Sequence, residues 1–269
     1  MKSSLRYHLL NNFRKTDEQL MQKFAERGVY PIIGRYRFGH RDIRFVESGQ
    51  VHKPPVMFVH GAPGSLDAFL EYLTDPELLD RCRMISVDRP GFGDSGYGQS
   101  VPSIKAQAEM LQPLLGLVTK KEPALLVGHS YGGAIVAHMA MDAASQVKGL
   151  LMLAPAVDPL SEKVYWVSYP ANWRMFRWLL PGVWKVTNDE KLRHRAALKA
   201  MEPLWSKINL PTTIIQGNQD RLVSPAHAEY LQREMLNSHP EVQLYPDLDH
   251  MIPWKGKEIV KKAILRYLG

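Results

Sequence analysis

Three residues in this chain have the types needed for a nucleophile, a base and an acid. Ser130 lies in Gly128-His129-Ser130-Tyr131-Gly132-Gly133, Asp220 closes Gly217-Asn218-Gln219-Asp220, and His250 closes Asp247-Leu248-Asp249-His250. A serine hydroxyl is a weak nucleophile at neutral pH, so a base must take its proton as it attacks. Histidine suits that task because its unperturbed pKa is about 6.5. An acid then orients the imidazole and stabilises its charged form. The glycines around Ser130 match G-x-S-x-G, a device that presents a serine on a sharp strand-to-helix turn. A strained turn of that kind leaves no room for side chains on its neighbours.

These residues can act together only if the fold delivers them to one place. Each follows an apolar run that reads as a strand: Ala124 to Val127 before Ser130, Thr212 to Gln216 before Asp220, and Val242 to Tyr245 before His250. The residues from Ala134 to Met141 read as the helix after the turn. Earlier, Val56-Met57-Phe58-Val59 runs into His60-Gly61-Ala62-Pro63-Gly64, and Met84-Ile85-Ser86-Val87 runs into Asp88-Arg89-Pro90-Gly91-Phe92-Gly93-Asp94-Ser95-Gly96. Continuous apolar runs of this length suit strands buried on both faces. Helices are predicted over 66–74, over 103–118 with a kink at Pro113, over 225–236 and over 255–268, and Val147 to Leu153 reads as a further strand. Alternating strands and helices argue for a parallel sheet covered on both sides, with its site at the carboxyl ends of the strands. The loops that begin at His60, Asp88 and Ser130 should therefore meet.

Two regions depart from this rhythm. Residues 157–206 contain five of the six tryptophans and no buried-strand run, which reads as an insertion of short helices over the sheet. Most of its aromatics should serve a small core of its own, while Trp166, Trp173 and Phe176 are candidates for lining an apolar substrate pocket. At the other end, Leu5, Leu9, Leu10 and Phe13 lie at helical spacing among Lys2, Arg6, Arg14 and Lys15. Packing on its own domain is the default for such a segment, and contact with a membrane surface is the rival. Thr16-Asp17-Glu18-Gln19 is a capping-box pattern that opens a short helix, and Gly28 ends it. Residues 35–38 and 41–47 read as an antiparallel hairpin around Gly39-His40. The expected organisation is a core of 1–156 and 207–269, with a helical extension over 1–34 and a cap over 157–206.

Composition narrows the function classes. The chain has 269 residues, 45% apolar and 23% charged, as in an ordinary globular domain with a substantial core. The net charge of +7 is spread without a basic run, so no nucleic-acid partner is expected. With one cysteine, Cys82, no intramolecular disulfide can form, and Cys82 beside an apolar strand reads as inert structure. The expectation is a soluble, cytoplasmic protein, since no signal peptide or membrane span is visible. No H-E-x-x-H motif or Cys/His cluster is present, and no G-x-G-x-x-G follows a strand, so neither a metal nor a dinucleotide cofactor is expected. Composition does not set the oligomeric state.

In order, HGAPG at 60–64, DRPGFGDSG at 88–96, GHSYGG at 128–133, GNQDRLVSP at 217–225 and DLDHMIP at 247–253 resemble the motifs of the α/β-hydrolase fold family, over nearly the whole chain. The resemblance implies a mostly parallel sheet with helices on both faces and a helical cap. It implies Ser130 as nucleophile, Asp220 as acid and His250 as base. It also implies an oxyanion hole from the backbone N–H groups of Ala62, after His-Gly, and of Tyr131, after the nucleophile. Relatives often carry Gly where this chain has Asp249, which alters the charge beside the histidine without removing the base.

Each assignment has a rival in the sequence. Asp158 follows another strand and serves as the acid in some relatives, while Asp247 and Asp249 read as loop residues. Among the other histidines, His60 and His129 read as loop-shaping and His138 as buried helix structure, while His8, His40, His52, His194, His227 and His239 read as surface or packing residues. Asp88 should hold its own loop. The function expected is a serine hydrolase that cleaves an ester or related carboxylic-acid derivative of a small, partly apolar substrate through an acyl-enzyme. A C–C bond hydrolase or cofactor-free perhydrolase with the same triad, a non-catalytic ligand binder and a membrane-surface lipase are the alternatives. Dehalogenases and epoxide hydrolases of this fold carry Asp at the nucleophile position, and its proline-specific peptidases usually show Gly-Gly-Ser-Trp-Gly.

Overall fold

The strand before Ser130 is the middle of the molecule. In the computed structural model, which describes residues 13–163, 178 and 180–269, eight strands form one sheet: β1 (Ile32–Phe38), β2 (Arg41–Gly49), β3 (Pro55–Val59), β4 (Arg83–Val87), β5 (Ala124–His129), β6 (Val147–Leu153), β7 (Thr212–Gly217) and β8 (Glu241–Tyr245). Their order is β1-β2-β4-β3-β5-β6-β7-β8, so β1 and β8 are the edges. Both pairings of β2 are antiparallel, and every pairing from β4 to β8 is parallel. Every residue of β3, β5 and β7 is buried. Alternate residues of β5 enter different cores. Leu126 packs with Leu111 and Ile135 on one face, whereas Leu125 and Val127 pack with Tyr72 and Ile264 on the other. An unbroken apolar run is what a strand covered on both faces requires.

Among the described residues the helices are α1 (Asp17–Ala25), α2 (Leu70–Leu73), α3 (Pro76–Arg81), α4 (Ile104–Val118), α5 (Tyr131–Asp142), α6 (Gly182–Met201), α7 (Ala226–Glu234), α8 (Ile252–Lys255) and α9 (Lys257–Leu268). The capping box on α1 is formed in both directions between Thr16 and Gln19. Gly28 follows it with φ +72°, a conformation open to glycine. The helix expected over 66–74 is a 3-10 turn, Leu66–Phe69, followed by α2. Helix α4 runs through Pro113 as one element. Helix α3 escaped the sequence reading, although Asp75 caps it and Pro76 occupies its first turn, a common helix start. The N-terminal extension ends before Ile32, because residues 32–34 already pair with β2. Among the described residues, no helix is long and apolar enough to cross a membrane.

The described part of 157–206 includes one long helix where short ones are expected. Among its described residues, the twenty-residue α6 leads into a 3-10 turn over Glu202–Lys207. Trp205 does not belong to a separate cap core. It is fully buried in the main core, edge-on to Tyr230 at 6.2 Å. Trp184 instead meets Phe13 edge-on at 6.5 Å, and Trp178 is exposed. Trp166, Trp173 and Phe176 lie outside the described residues, as do residues 1–12 of the basic N-terminal segment.

Close backbone approach fixes the turn after β5. A Cβ added at Gly132 would lie 2.2 Å from the carbonyl oxygen of Val59 and 2.7 Å from that of His60. Neither is a flexible side-chain end. Gly132→Ala should therefore destabilise the fold by about 1–3 kcal/mol through overpacking, read as a lower urea midpoint. An unchanged midpoint would show that β3 and α5 can separate freely.

Candidate active site

Ser130 sits where β5 turns into α5, at φ 55° and ψ −121°. A non-glycine residue rarely holds positive φ, and here the surroundings enforce it. The Ser130 N–H donates to the Leu153 carbonyl at 2.9 Å, and its carbonyl accepts from Gly133 N–H at 2.9 Å. A Cβ at Gly128 would meet the Gly132 carbonyl oxygen at 2.6 Å, so both flanking glycines are sterically required.

His250 and Asp220 arrive from the loops after β8 and β7. His250 Nε2 lies 3.1 Å from Ser130 Oγ, and His250 Nδ1 lies 2.7 Å from Asp220 Oδ2. A carboxylate only accepts, so Nδ1 carries the proton and Nε2 is left to accept from the serine hydroxyl. Asp220 Oδ1 accepts from the backbone N–H groups of Leu222 at 2.9 Å and Val223 at 2.8 Å. Burial opposes the Asp220 charge, but the hydrogen bond and charge of His250, with those two N–H groups, hold its pKa below the ordinary carboxylate value.

The rival acids have other partners. Asp158 accepts from Leu160 N–H and the Ser161 hydroxyl, closing its own turn. Asp249 accepts from Met251 N–H and pairs with Lys255. Asp88 is fully buried and holds its loop, accepting from Arg44, Leu66 N–H and Asp94 N–H. The Cys82 thiol is buried and pushed up to about 12 by that burial.

Two histidines brace the site. His129 Nε2 donates to the His250 carbonyl at 3.0 Å, and the two rings lie 4.9 Å apart. Burial first, and then the neighbouring His250 charge, push His129 down to about 3, so it stays neutral. His60 Nδ1 donates to the Gly61 carbonyl at 2.7 Å, while its Nε2 accepts from Arg89 N–H at 3.1 Å. Of the histidines expected at the surface or in packing, two take the packing role. His227 is buried, and its Nδ1 accepts from the N–H groups of Val157 and Asp158. His194 is buried too, 3.1 Å from Glu162. Burying an imidazole is tolerated here because polar partners are supplied.

Ser130 lies where two cavities meet. One, of about 530 Å³, runs beneath α6 and is lined by Ala62, Tyr131, Ala156, Leu180, Trp184 and Val223. Its polar wall holds Glu190 and Glu162, the latter paired with Lys191 and His194. Burial opposes the Glu162 charge, yet His194 and Lys191 hold its pKa at about 2. The second cavity, of about 540 Å³, opens past His250 toward Lys23, Arg27, Leu70 and Trp254. The residues of the sequence-predicted site are thus brought together, with Ala62 and Tyr131 beside Ser130 in the first cavity.

Sequence reasoning missed Glu162, Glu190 and His194. A signal for the last two existed. The buried positions of α6 are Val183, Val186, Glu190, His194, Leu198 and Met201, one stripe at helical spacing. Two polar residues inside an apolar stripe mark a buried polar site.

Known proteins agree with this architecture. The chain is 26% identical to the dihydrolipoyllysine-residue acetyltransferase component of the acetoin cleaving system of Pseudomonas putida, over 91% of this chain and 71% of that protein. It is 22% identical to human monoacylglycerol lipase ABHD6, over 86% of this chain and 80% of that one. A solved esterase from Exiguobacterium antarcticum superposes with a TM-score of 0.66 at 18% identity, covering 85% of this chain and 96% of the other, a likeness that shows the fold. The model of the alpha/beta hydrolase family matches residues 56–262. The chain therefore belongs to the alpha/beta hydrolase family.

Proposed function

We propose that this hydrolase cleaves an ester or related carboxylic-acid derivative with a partly apolar acyl group, through a covalent Ser130 intermediate. The observation that carries the reading is the hydrogen-bonded line from Ser130 Oγ through His250 to Asp220, at 3.1 Å and 2.7 Å, on the floor of an apolar cavity. Ser130 Oγ bonds to the carbonyl carbon as its proton passes to His250 Nε2. The carbonyl π electrons move onto oxygen, and the N–H groups of Ala62 and Tyr131 receive that charge. Collapse expels the alcohol, which takes the proton from His250. Water, deprotonated by His250, then attacks the acyl carbon and releases the acid, and the proton returns to Ser130.

The cavity beneath α6 suits the acyl arm, because its walls are largely apolar and it borders both oxyanion residues. The cavity past His250 suits the departing alcohol, which must reach the proton on Nε2. Relatives named for lipase and esterase activity support the same reaction class.

A fluorophosphonate probe tests the reading. The expected result is one adduct per chain, mapped to Ser130 by mass spectrometry and absent from Ser130→Ala. A folded chain that takes no label would remove the serine-hydrolase assignment. A chain-length series of p-nitrophenyl esters would then measure the depth of the acyl cavity.

A further inference from the structure

The proposed oxyanion donor Ala62 N–H shares one peptide unit with the Gly61 carbonyl. Among the described residues the cis bond is Ala62–Pro63, so the Gly61–Ala62 unit is trans, with its C=O and N–H on opposite edges of a plane. Whatever fixes that carbonyl therefore aims the N–H. Two donors reach it: His60 Nδ1 at 2.7 Å and Arg89 Nη2 at 3.1 Å. The second carries a full positive charge, which also polarises the peptide and makes its N–H a stronger donor.

Arg89 is itself fully buried and held on several sides. It makes a two-pronged pair with Glu190, Nη1 to Oε1 at 2.8 Å and Nη2 to Oε2 at 3.1 Å, and Nη1 also donates to Gln107 Oε1 at 2.8 Å. Its guanidinium lies 4.5 Å from the Phe92 ring centroid and 4.7 Å from that of Tyr131, the other oxyanion residue. Glu190 belongs to α6, the helix that roofs the first cavity.

We infer that Arg89 and Glu190 form a positioning pair that holds the Gly61–Ala62 peptide in its donating orientation and ties that orientation to the seating of α6. The inference rests on the serine-hydrolase reading. Neither residue touches the reacting atoms. With α6 seated, Glu190 orients Arg89, Arg89 holds the Gly61 carbonyl, and Ala62 N–H faces the cavity. Without the pair, one hydrogen bond from His60 is left to resist rotation of a glycine-flanked peptide.

The test compares Glu190→Gln and the paired change Arg89→Met with Glu190→Leu. Replacing both members of a buried ion pair by apolar residues of similar size is often tolerated by the fold, so the double variant removes the clamp without stranding a charge. Glu190→Gln keeps size and most hydrogen bonds, and supplies a folded sample should the double variant fail. Losing an oxyanion donor outright costs about a hundred- to a thousand-fold, so misaiming one should lower kcat for p-nitrophenyl butyrate by about ten- to a hundred-fold in the double variant, and by less in Glu190→Gln. KM should change by much less than kcat, because the acyl arm rests mainly on the apolar walls of the cavity, of which Glu190 is one polar lining residue. Inhibition by an alkyl trifluoromethyl ketone, which forms a tetrahedral oxyanion on serine, should weaken by the same factor as kcat/KM. A purely structural role would lower thermal stability without that correlation.

Folded variants with unchanged kcat and unchanged ketone inhibition would overturn the positioning role. A parent protein that takes no fluorophosphonate label would overturn the hydrolase reading, and this inference with it. A labelled parent with unaffected variants overturns this inference alone.

Discussion

Asp220→Asn should lower kcat about 10⁴-fold while leaving the fold in place. The cause is hydrogen-bond polarity rather than lost contact. Asp220 Oδ1 accepts from the N–H groups of Leu222 and Val223, and only an oxygen can meet both. An asparagine must therefore keep its oxygen there and turn its NH2 toward His250. His250 Nδ1, 2.7 Å away, then has to accept, and the imidazole proton moves to Nε2. That nitrogen faces Ser130 Oγ at 3.1 Å, so the base arrives already protonated. Turnover of a p-nitrophenyl ester, with the circular dichroism spectrum as the folding control, reads the effect. The same change at Asp158, which closes its own turn, should leave kcat near the parent value. A loss at Asp158 that matched or exceeded the loss at Asp220 would reverse the assignment of the acid.

Lowering the pH from 7 to 5 should remove about 4 kcal/mol of unfolding free energy through His129 and His227 alone, a large part of the roughly 5–15 kcal/mol typical of a native protein. Burial drives three histidines below the ordinary value of 6.5: His129 to about 3, His227 to about 4, and His60 well below 6.5. Geometry gives the same direction, because ring nitrogens of His227 and His60 already accept from backbone N–H groups and have no room for another proton. Unfolded, all three titrate near 6.5. Their native pKa values are depressed, so their contribution is complete above 6.5 and is lost as the pH falls below it. By pH 5 the unfolded chain holds nearly two protons on His129 and His227 that the native chain refuses, about 3 kcal/mol per pH unit at full uptake, and His60 adds to the loss in the same direction. Glu162 acts in a lower window. Its native pKa of about 2 lies below the usual 4.5, so the stability it adds is lost only as the pH falls from 4.5 toward 2. Urea unfolding at pH 7, 6 and 5 separates the windows, and equal free energies at pH 7 and 5 would contradict the neutral assignment of these rings.

Much of the site was legible because its signals are local. The apolar run of β5, the glycines around Ser130 and the loops ending at Asp220 and His250 each follow from near neighbours in sequence. The capping box on α1 was readable for the same reason. What escaped depends on distant partners. Arg89 reads as one residue of a Gly-rich loop until Glu190, 101 positions later, is placed against it. Near neighbours leave His227 open between surface and packing, because the N–H groups it accepts from lie about seventy positions earlier, at Val157 and Asp158. Composition alone does not show that 182–201 is one helix, because two of its buried positions, Glu190 and His194, are polar and buried through distant partners. Trp205 was assigned to the cap by composition, whereas the core beside Tyr230 claims it by shape.

The edges of the sheet have a bearing on how separate copies of the chain behave. An open strand offers unpaired backbone groups on which another molecule can template. Here β1 carries Arg35, paired with Asp17 and Asp94, and Arg37, paired with Asp42, while β8 carries Glu241, paired with Arg266. Surface pairs of this kind add little to stability, about 0–1 kcal/mol each. Their value lies in what they obstruct. A strand from a second copy would have to strip water and counter-charges from one edge or the other before its own backbone could bond. These charges do more to keep one copy from aggregating with the next than to hold any single copy together.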